Sequence, residues 1–402
     1  MIKIRAEQNA VMLFNSDTAD TGILSGAELT VLEKWAKSGE KSEFVERLKR
    51  LSLISEEKRE EFLCALEKCR EISAPAGSFA VPESLHIELT SDCPLNCPQC
   101  YKDRTQSVNL DVSQLKKIIC EAAEIGVFQI ALGGGEPLVY PCLKEVVKLV
   151  DKLGMACSVT TSGYGVNDDI LKELKLAGLK HMQISLNGST EGINSFSRDG
   201  YNYAVNALEM LLKNEYSFGI NWVARKDNLD DFPNLLRLAV KMRAGNINVL
   251  RYKPSQTEEY KSFALDSNET LRLAEYIRHA RGIAIKLDSA FSNMLCHLNG
   301  KAGELSGCGA GRRFICLDAK GFFRPCSHVH LSDMEAARTF ESLKDYWLNS
   351  PDLFQFRRTE DNIGGYCREC EYLMGCRSCR AICGDFYGDT ECFVKDMNYE
   401  IV

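Results

Sequence analysis

Hydrophobic and polar positions follow one rhythm through the middle of this chain and others at its ends. Between Ser84 and about Asp288, short apolar runs alternate with stretches whose apolar residues recur every three or four positions. The runs Leu85–Leu89, Val127–Leu132, Ala156–Thr161, Met182–Leu186, Phe218–Val223 and Ile247–Arg251 read as strands. The intervening Ser113–Ile125, Leu143–Leu153, Asp169–Ala177, Ala204–Lys213 and Leu235–Met242 read as helices. Six strand–helix units in succession imply an α/β fold with a parallel sheet, which right-handed crossovers curl into a full or partial barrel. Chemistry in such barrels sits where strands end and loops to helices begin. The sequences that stand out fall there: a cysteine loop after the first strand, Gly133-Gly134-Gly135-Glu136-Pro137 after the second, and Thr160-Thr161-Ser162-Gly163 after the third.

Residues 1–80 read as a separate small unit. Lys3–Arg5 and Ala10–Phe14 form two short strands around a turn at Gln8-Asn9. Ser25 caps a helix carrying Leu29, Leu32 and Trp35, a second helix runs from Ser42 to about Leu51, and Ser55–Ile72 reads as a third. Ala74-Pro75-Ala76-Gly77 is a linker. After Ser289 the periodicity fades, and cysteine and glycine dominate. Such a region has too little apolar surface for a conventional core, so metal ligation is expected to supply the missing folding energy. The resulting division is 1–80, 81–289 and 290–402.

Composition changes this picture at one point. The net charge of −7 argues against a nucleic-acid partner, no apolar run approaches the length of a membrane span, and MIKIRAEQ lacks the apolar core of a signal peptide, so a cytoplasmic protein is expected. The anomaly is 18 cysteines, three of them at 93–100 and ten from Cys296 to Cys392. In a chain of this length under reducing conditions, that distribution favours metal ligation over disulfides.

Cys93, Cys97 and Cys100 have the spacing CxxxCxxC. Three thiolates on one tight loop hold three irons of a [4Fe–4S] cluster and leave the fourth open; a zinc knuckle is the alternative and normally wants a fourth Cys or His nearby. Residues 84–137, SLHIELTSDCPLNCPQCY followed by ALGGGEP, together resemble the radical S-adenosylmethionine (SAM) superfamily. The resemblance implies that the three cysteines hold the cluster and that the amine and carboxylate of SAM occupy the open iron. It further implies that the Gly134-Gly135-Glu136 motif approaches the methionyl amine, the glycines letting backbone come close and Glu136 limiting loop geometry or accepting a hydrogen bond. Ser162 stands at the position that contacts the ribose, Ser185 at one that contacts the SAM carboxylate, and Arg198 where related enzymes carry an arginine that pairs with it. Two departures are visible: the residue before the third cysteine, usually aromatic, is Gln99, so Tyr101 is the candidate for the adenine contact, and the usual Asp of the fourth-strand motif is Asn187.

Cys308 opens CGAGRRFICLDAKGFFRPC, followed by Cys367-x2-Cys370-x5-Cys376-x2-Cys379 and by Cys392. This resembles the SPASM extension of radical SAM enzymes. The resemblance implies two auxiliary [4Fe–4S] clusters, making three in all: one on Cys308, Cys326 and Cys379 with Cys296 as candidate fourth ligand, the other on Cys367, Cys370, Cys376 and Cys392. Two structural zinc sites are the alternative. Cys316 and Cys383 stay unassigned as rivals for ligand positions. His328 and His330 are read as polar residues on one strand face, and Cys64, Cys69, Cys120, Cys142 and Cys157 as buried small apolar residues.

The chemistry implied is reductive cleavage of SAM to a 5′-deoxyadenosyl radical that removes a hydrogen from an unactivated carbon, with orientation and exclusion of water supplied by the protein. SPASM enzymes mostly modify peptides, and the N-terminal pattern resembles a winged-helix unit that binds the leader of a ribosomally made precursor by strand addition. The expected function is a peptide maturase that installs a crosslink such as a thioether, with a precursor peptide and a low-potential donor, flavodoxin or ferredoxin, as partners. Alternatives are an anaerobic sulfatase-maturase-like protein oxidase and a non-catalytic zinc or iron–sulfur scaffold. Glu88, Arg251 and Lys253 lie near strand ends, where they can face the cavity.

Overall fold

The computed structural model describes residues 1–102, 106–253, 260–299, 307–329, 342–383, 392 and 394. At the N-terminus, β1 (Ile2–Glu7), β2 (Ala10–Asn15) and β3 (Asp20–Ser25) form an antiparallel sheet in that order. The third strand was not expected: only Leu24 among its residues is buried, so its sequence shows no alternation. Helices Gly26–Ser38, Glu43–Arg50 and Arg59–Lys68 follow. Ser42 caps the second through its side chain, which accepts from the Val45 N–H at 3.2 Å, whereas Ser25 stands at its helix start without a side-chain bond. Val11, Leu13, Leu32, Trp35, Val45 and Phe62 form the core of this unit.

The opposite face of its sheet docks on the rest of the protein. Phe14 stacks on Phe128 with ring centres 4.8 Å apart, and Arg5 donates to the carbonyls of Gly126 at 2.7 Å and Pro82 at 3.0 Å. Glu7 pairs with Arg5 at 2.7 Å and accepts from the Ala80 N–H at 2.6 Å. Gly126 and Phe128 belong to the loop that enters the second barrel strand, so the unit sits beneath the N-terminal ends of the barrel strands.

The barrel strands are β4 (Ser84–Thr90), β5 (Gln129–Gly134), β6 (Ala156–Thr161), β7 (His181–Ser185), β8 (Ser217–Ala224) and β9 (Asn246–Arg251), all parallel to their neighbours. A seventh parallel strand, β10 (Ala284–Leu287), extends the edge beyond β9. On the other side β11 (Phe314–Leu317) pairs parallel with β4, and β12 (Phe323–Arg324) antiparallel with β11. The order β10-β9-β8-β7-β6-β5-β4-β11-β12 is an open, partial barrel, and its sheet runs across the expected boundary at 289/290.

That continuity corrects the expectation of a coreless C-terminal region. Ile315, Leu317, Phe323, Leu343, Tyr346 and Trp347 are buried in the same core as the barrel strands, each stabilising by roughly 1.5–3 kcal/mol on burial. The Trp347 indole N–H donates to the Ala80 carbonyl at 3.1 Å, and the buried Arg357 lies 4.6 Å over its ring while donating to Gly311 O at 2.8 Å. Further on, residues 365–383 form only short turns: Gly365–Glu369, Leu373–Cys376 and Arg380–Cys383. No helix among the described residues is long and apolar enough to cross a membrane.

Candidate functional site

At the C-terminal ends of β4–β9 a cavity of about 320 Å³ opens. It is lined by Cys93, Cys97, Cys100, Tyr101, Gly134, Gly135, Ser162, Ser185 and Arg198, which are all the expected cofactor contacts and first-loop thiols except Glu136.

The glycine loop is shaped by close backbone approach. A Cβ on Gly135 would lie 2.1 Å from the Asp92 carbonyl oxygen, and one on Gly134, whose φ is +129°, would lie 2.4 Å from that of Thr90. The same contact is a hydrogen bond, Gly135 N–H to Thr90 O at 2.7 Å, followed by Glu136 N–H to Asp92 O at 2.8 Å. The loop after β5 is thus clamped on the start of the cysteine loop. A Cβ on Gly133 would meet nothing within 4 Å; its open side faces the cavity.

Glu136 is fully buried and does not line the cavity. Its carboxylate accepts from Thr161 Oγ1 at 2.6 Å, Ser162 N–H at 2.9 Å, Ser162 Oγ at 2.5 Å and Leu138 N–H at 3.1 Å. It ties the loop after β5 to the end of β6 and orients Ser162, which does line the cavity.

The cysteine loop is held from its other side by the segment after β7. Asn96 N–H donates to Asp199 Oδ2 at 3.0 Å and Gln99 N–H to Ser197 O at 3.2 Å. That segment is organised by Asn187, whose side chain donates to Ser197 Oγ at 2.8 Å and accepts from Val223 N–H at 3.0 Å. The amide in place of the usual Asp therefore serves both as donor and acceptor. Among the described residues, Gln99 Oε1 and Arg198 Nε are buried polar atoms without a hydrogen-bond partner, and both side chains line the cavity. Unsatisfied groups of this kind are costly unless a ligand completes them. With three thiols beside an open glycine backbone, the residues fit a cluster carrying SAM.

Tyr101 lines the cavity with its ring turned toward the C-terminal region, 4.2 Å from the His328 ring, with Lys102 Nζ 4.6 Å over it. His328 sits in a turn beyond β12, not on a strand face as expected, and also lines the cavity; His330 lies outside the described residues. Glu88, Arg251 and Lys253 all reach the cavity. Glu88 pairs with Lys102, and Lys253 with Asp288. Cys316, left unassigned as a rival ligand, is buried on β11, lines the cavity and points its thiol at Glu88 Oε1, 3.9 Å away. Burial pushes its thiol well up from the ordinary cysteine range, and Glu88 adds to this. Only the pairing of β11 with β4 brings it there.

Cys367, Cys370, Cys376 and Cys392 converge on a second, small cavity of about 30 Å³, where Asn293 Nδ2 lies 3.5 Å from Cys392 Sγ. Cys308, Cys326 and Cys379 lie in one another's electrostatic field, and burial pushes the Cys326 thiol up to about 11 and that of Cys379 to about 12. Thiols raised in this way deprotonate when a metal binds. The two sets part between Cys376 and Cys379, where Arg377 and Ser378 adopt φ of +57° and +50°. Left-handed backbone at two successive non-glycine residues is costly, and here it turns neighbouring thiols toward different sites. The side chains of Cys296 and Cys383 lie outside the described residues. Of the remaining cysteines, Cys69 and Cys157 are buried as expected, Cys120 and Cys142 are half-buried, and Cys64 is exposed.

Residues 87–239 match the Radical SAM superfamily. The chain is 28% identical over 342 residues to the PqqA peptide cyclase of Bradyrhizobium diazoefficiens, covering 79% of this chain and 86% of that one. Its fold is similar to that of Streptococcus suis SuiB bound to S-adenosylmethionine, with a TM-score of 0.74, 18% identity, and coverage of 97% of this chain and 98% of SuiB. SuiB bound to its precursor peptide SuiA superposes with a TM-score of 0.72 at 16% identity over the same shares.

Proposed function

Since residues 87–239 place the chain in the Radical SAM superfamily, we propose that it is a maturase that crosslinks a ribosomally made precursor peptide. The observation that carries this is the convergence of four features on one cavity: three loop thiols, an open glycine backbone, two unpartnered polar atoms and a wall formed by the C-terminal thiol region. Relatives named for peptide cyclisation and a fold shared with a peptide-bound neighbour support the substrate class.

When bound, SAM and its [4Fe–4S] cluster on Cys93, Cys97 and Cys100 supply a 5′-deoxyadenosyl radical that takes a hydrogen atom from the peptide. The chain's own residues position and shield. Gly134 and Gly135 bring backbone to the methionyl group, Arg198 and Ser185 face its carboxylate, and Ser162, oriented by Glu136, faces the ribose. Closing a crosslink removes two hydrogens from the peptide, one as the atom that yields 5′-deoxyadenosine and one as a proton, and an auxiliary cluster, when bound, would accept the electron left behind. We assign two such clusters, one to Cys308, Cys326 and Cys379 with Cys296 as candidate fourth ligand, the other to Cys367, Cys370, Cys376 and Cys392. The division 1–80, 81–289 and 290–402 then corresponds to leader recognition, radical chemistry and auxiliary clusters, with the linkage across β11 noted above. The sheet edge at β3, beyond which no strand pairs among the described residues, is the place for an added leader strand. A cytoplasmic setting and a flavodoxin or ferredoxin donor complete the reading.

The test is anaerobic. Reconstituted protein should hold about 12 irons per chain, as three [4Fe–4S] clusters require, and cleave SAM to 5′-deoxyadenosine with dithionite. The Cys93/Cys97/Cys100→Ala variant should lose about four irons and all cleavage. A precursor peptide that the protein binds should lose the mass of two hydrogens. Intact SAM with zinc in place of iron would refute the proposal.

A further inference from the structure

Beside the cavity lies a buried pair of opposite charges within electrostatic reach of the Cys308, Cys326 and Cys379 thiols. Lys253 follows the end of β9 and lines the cavity; its ammonium pairs with Asp288 Oδ2 and donates to the Arg251 carbonyl at 3.4 Å. Asp288 follows β10, its N–H bonded to Val249 O at 2.9 Å and its carboxylate accepting from the Ala290 N–H at 3.2 Å. Both charges are therefore anchored to the top of the sheet. Ser327 and His328, directly after Cys326, line the same cavity as Lys253. Burial opposes the ammonium, but Asp288 and, beyond it, Cys379 and Cys326 outweigh burial and hold Lys253 above the usual lysine range. Burial likewise opposes the carboxylate, and Lys253 outweighs it, holding Asp288 below the ordinary range. Both groups are ionised, in a place where charges act strongly because little water screens them.

We propose that the Lys253–Asp288 pair sets the reduction potential of the auxiliary cluster held by Cys308, Cys326 and Cys379, and so its readiness to take an electron from a radical formed in the cavity. The proposal rests on the assignment of those thiols to a cluster. A cluster gains one negative charge on reduction, so a nearby ammonium favours the reduced form and a nearby carboxylate disfavours it. Neutralising one partner removes its effect and exposes the other. The two single substitutions must therefore shift the potential in opposite directions. A pair that only braced the fold would not produce that sign reversal. These are positioning residues for electron transfer, since neither is assigned a bond to the cluster.

The experiment is a redox titration followed by electron paramagnetic resonance on the full chain, reconstituted in a Cys93/Cys97/Cys100→Ala background to leave only the auxiliary clusters. Lys253→Met should make one of the two clusters harder to reduce by at least tenfold in equilibrium, about 59 mV for one electron. Asp288→Asn should make the same cluster easier to reduce, and the double variant should return close to the parent. Lys253→Arg, which keeps the charge, should leave the potential in place and shows that the site tolerates substitution. Unchanged potentials in both single variants, or shifts of the same sign, would overturn the proposal while leaving the clusters assigned. About four irons in the parent, where two auxiliary clusters need about eight, would remove the cluster assignment itself, and the proposal with it.

Discussion

The thiols of the 93–100 loop and those beyond residue 307, proposed above to hold clusters, stand on different kinds of support. The first loop is clamped by backbone: Gly135 and Glu136 bond to Thr90 and Asp92 on one side, and Ser197 and Asp199 bond to Gln99 and Asn96 on the other. Its shape is fixed by hydrogen bonds within a folded barrel, so a ligand is needed for function and not for form. Between 365 and 383 no turn is longer than five residues, and Cys367, Cys370, Cys376 and Cys392 line one small cavity beside Tyr366 and Tyr372, which pack against the main core. There the proposed metal would be part of the fold.

The sharpest way to break this comparison is to remove thiols from each side. Cys367→Ala with Cys370→Ala should release the 364–394 segment to limited proteolysis and cost about four irons, while the barrel keeps its cooperative unfolding. Cys93/Cys97/Cys100→Ala should cost a similar amount of iron and all SAM cleavage, with proteolysis and thermal midpoint nearly unchanged. Equal loss of structure in both variants would mean that the loop also depends on its metal.

Gly135→Ala attacks the backbone clamp directly. The added methyl would fall 2.1 Å from the Asp92 carbonyl oxygen, and backbone on both sides leaves little room for relief. A loss of about 3 kcal/mol is expected, the upper end of ordinary overpacking, read by urea unfolding, with SAM binding lost under conditions where the chain stays folded. Stability unchanged within error would show that the clamp yields.

How far the sequence could be read follows the same division. All six expected barrel strands appear within about two residues of their predicted ends, because each is a short apolar run closed by a loop of distinctive residues. The convergence of Cys93, Gly135 and Ser162 at strand ends was legible for that reason, and Arg198 only through the family resemblance. What stayed hidden was set by tertiary pairing. Cys316 faces the cavity only because β11 adds to the edge of β4, and nothing in FICL indicates its partner. Glu136 was expected among the cofactor contacts and also to limit loop geometry or accept a hydrogen bond; it does the latter, while the hydroxyl and amide groups that fill its oxygens could not be named from the sequence. The left-handed pair Arg377-Ser378, which separates the two thiol sets, has no glycine to announce it.

Glu136→Gln tests the brace with a smaller expected effect. The substitution keeps size and burial but sets an NH₂ donor against groups that already donate, so one bond is lost and another becomes repulsive. About 2 kcal/mol of stability should go, within the range for hydrogen bonds to a buried charge. Affinity for SAM should fall while the iron of the first cluster stays, since Glu136 orients Ser162 and no cysteine. Loss of the cluster itself would place Glu136 in direct support of the cysteine loop.

The smallest effect marks the floor against which these buried bonds are judged. Asp17, at the turn between β2 and β3, pairs with Lys180 at the entrance to β7, but both side chains are about half exposed, at 59% and 45%. The Lys180 hydrogen bond, with one from the amino terminus next, pulls the Asp17 carboxyl down to about 2. A depressed carboxylate stabilises the fold above its unfolded pKa, near 4, and that contribution disappears as pH falls through about 2. Solvent screening keeps it under about 1 kcal/mol. Asp17→Asn should therefore unfold slightly earlier than the parent at pH 6, and the gap should close between pH 4 and 2, measured by urea midpoints across that range. A cost as large as that of Glu136→Gln would show that the N-terminal unit is held on the barrel by its surface charges, and that Arg5, Glu7 and the Phe14–Phe128 stack contribute less than their burial implies.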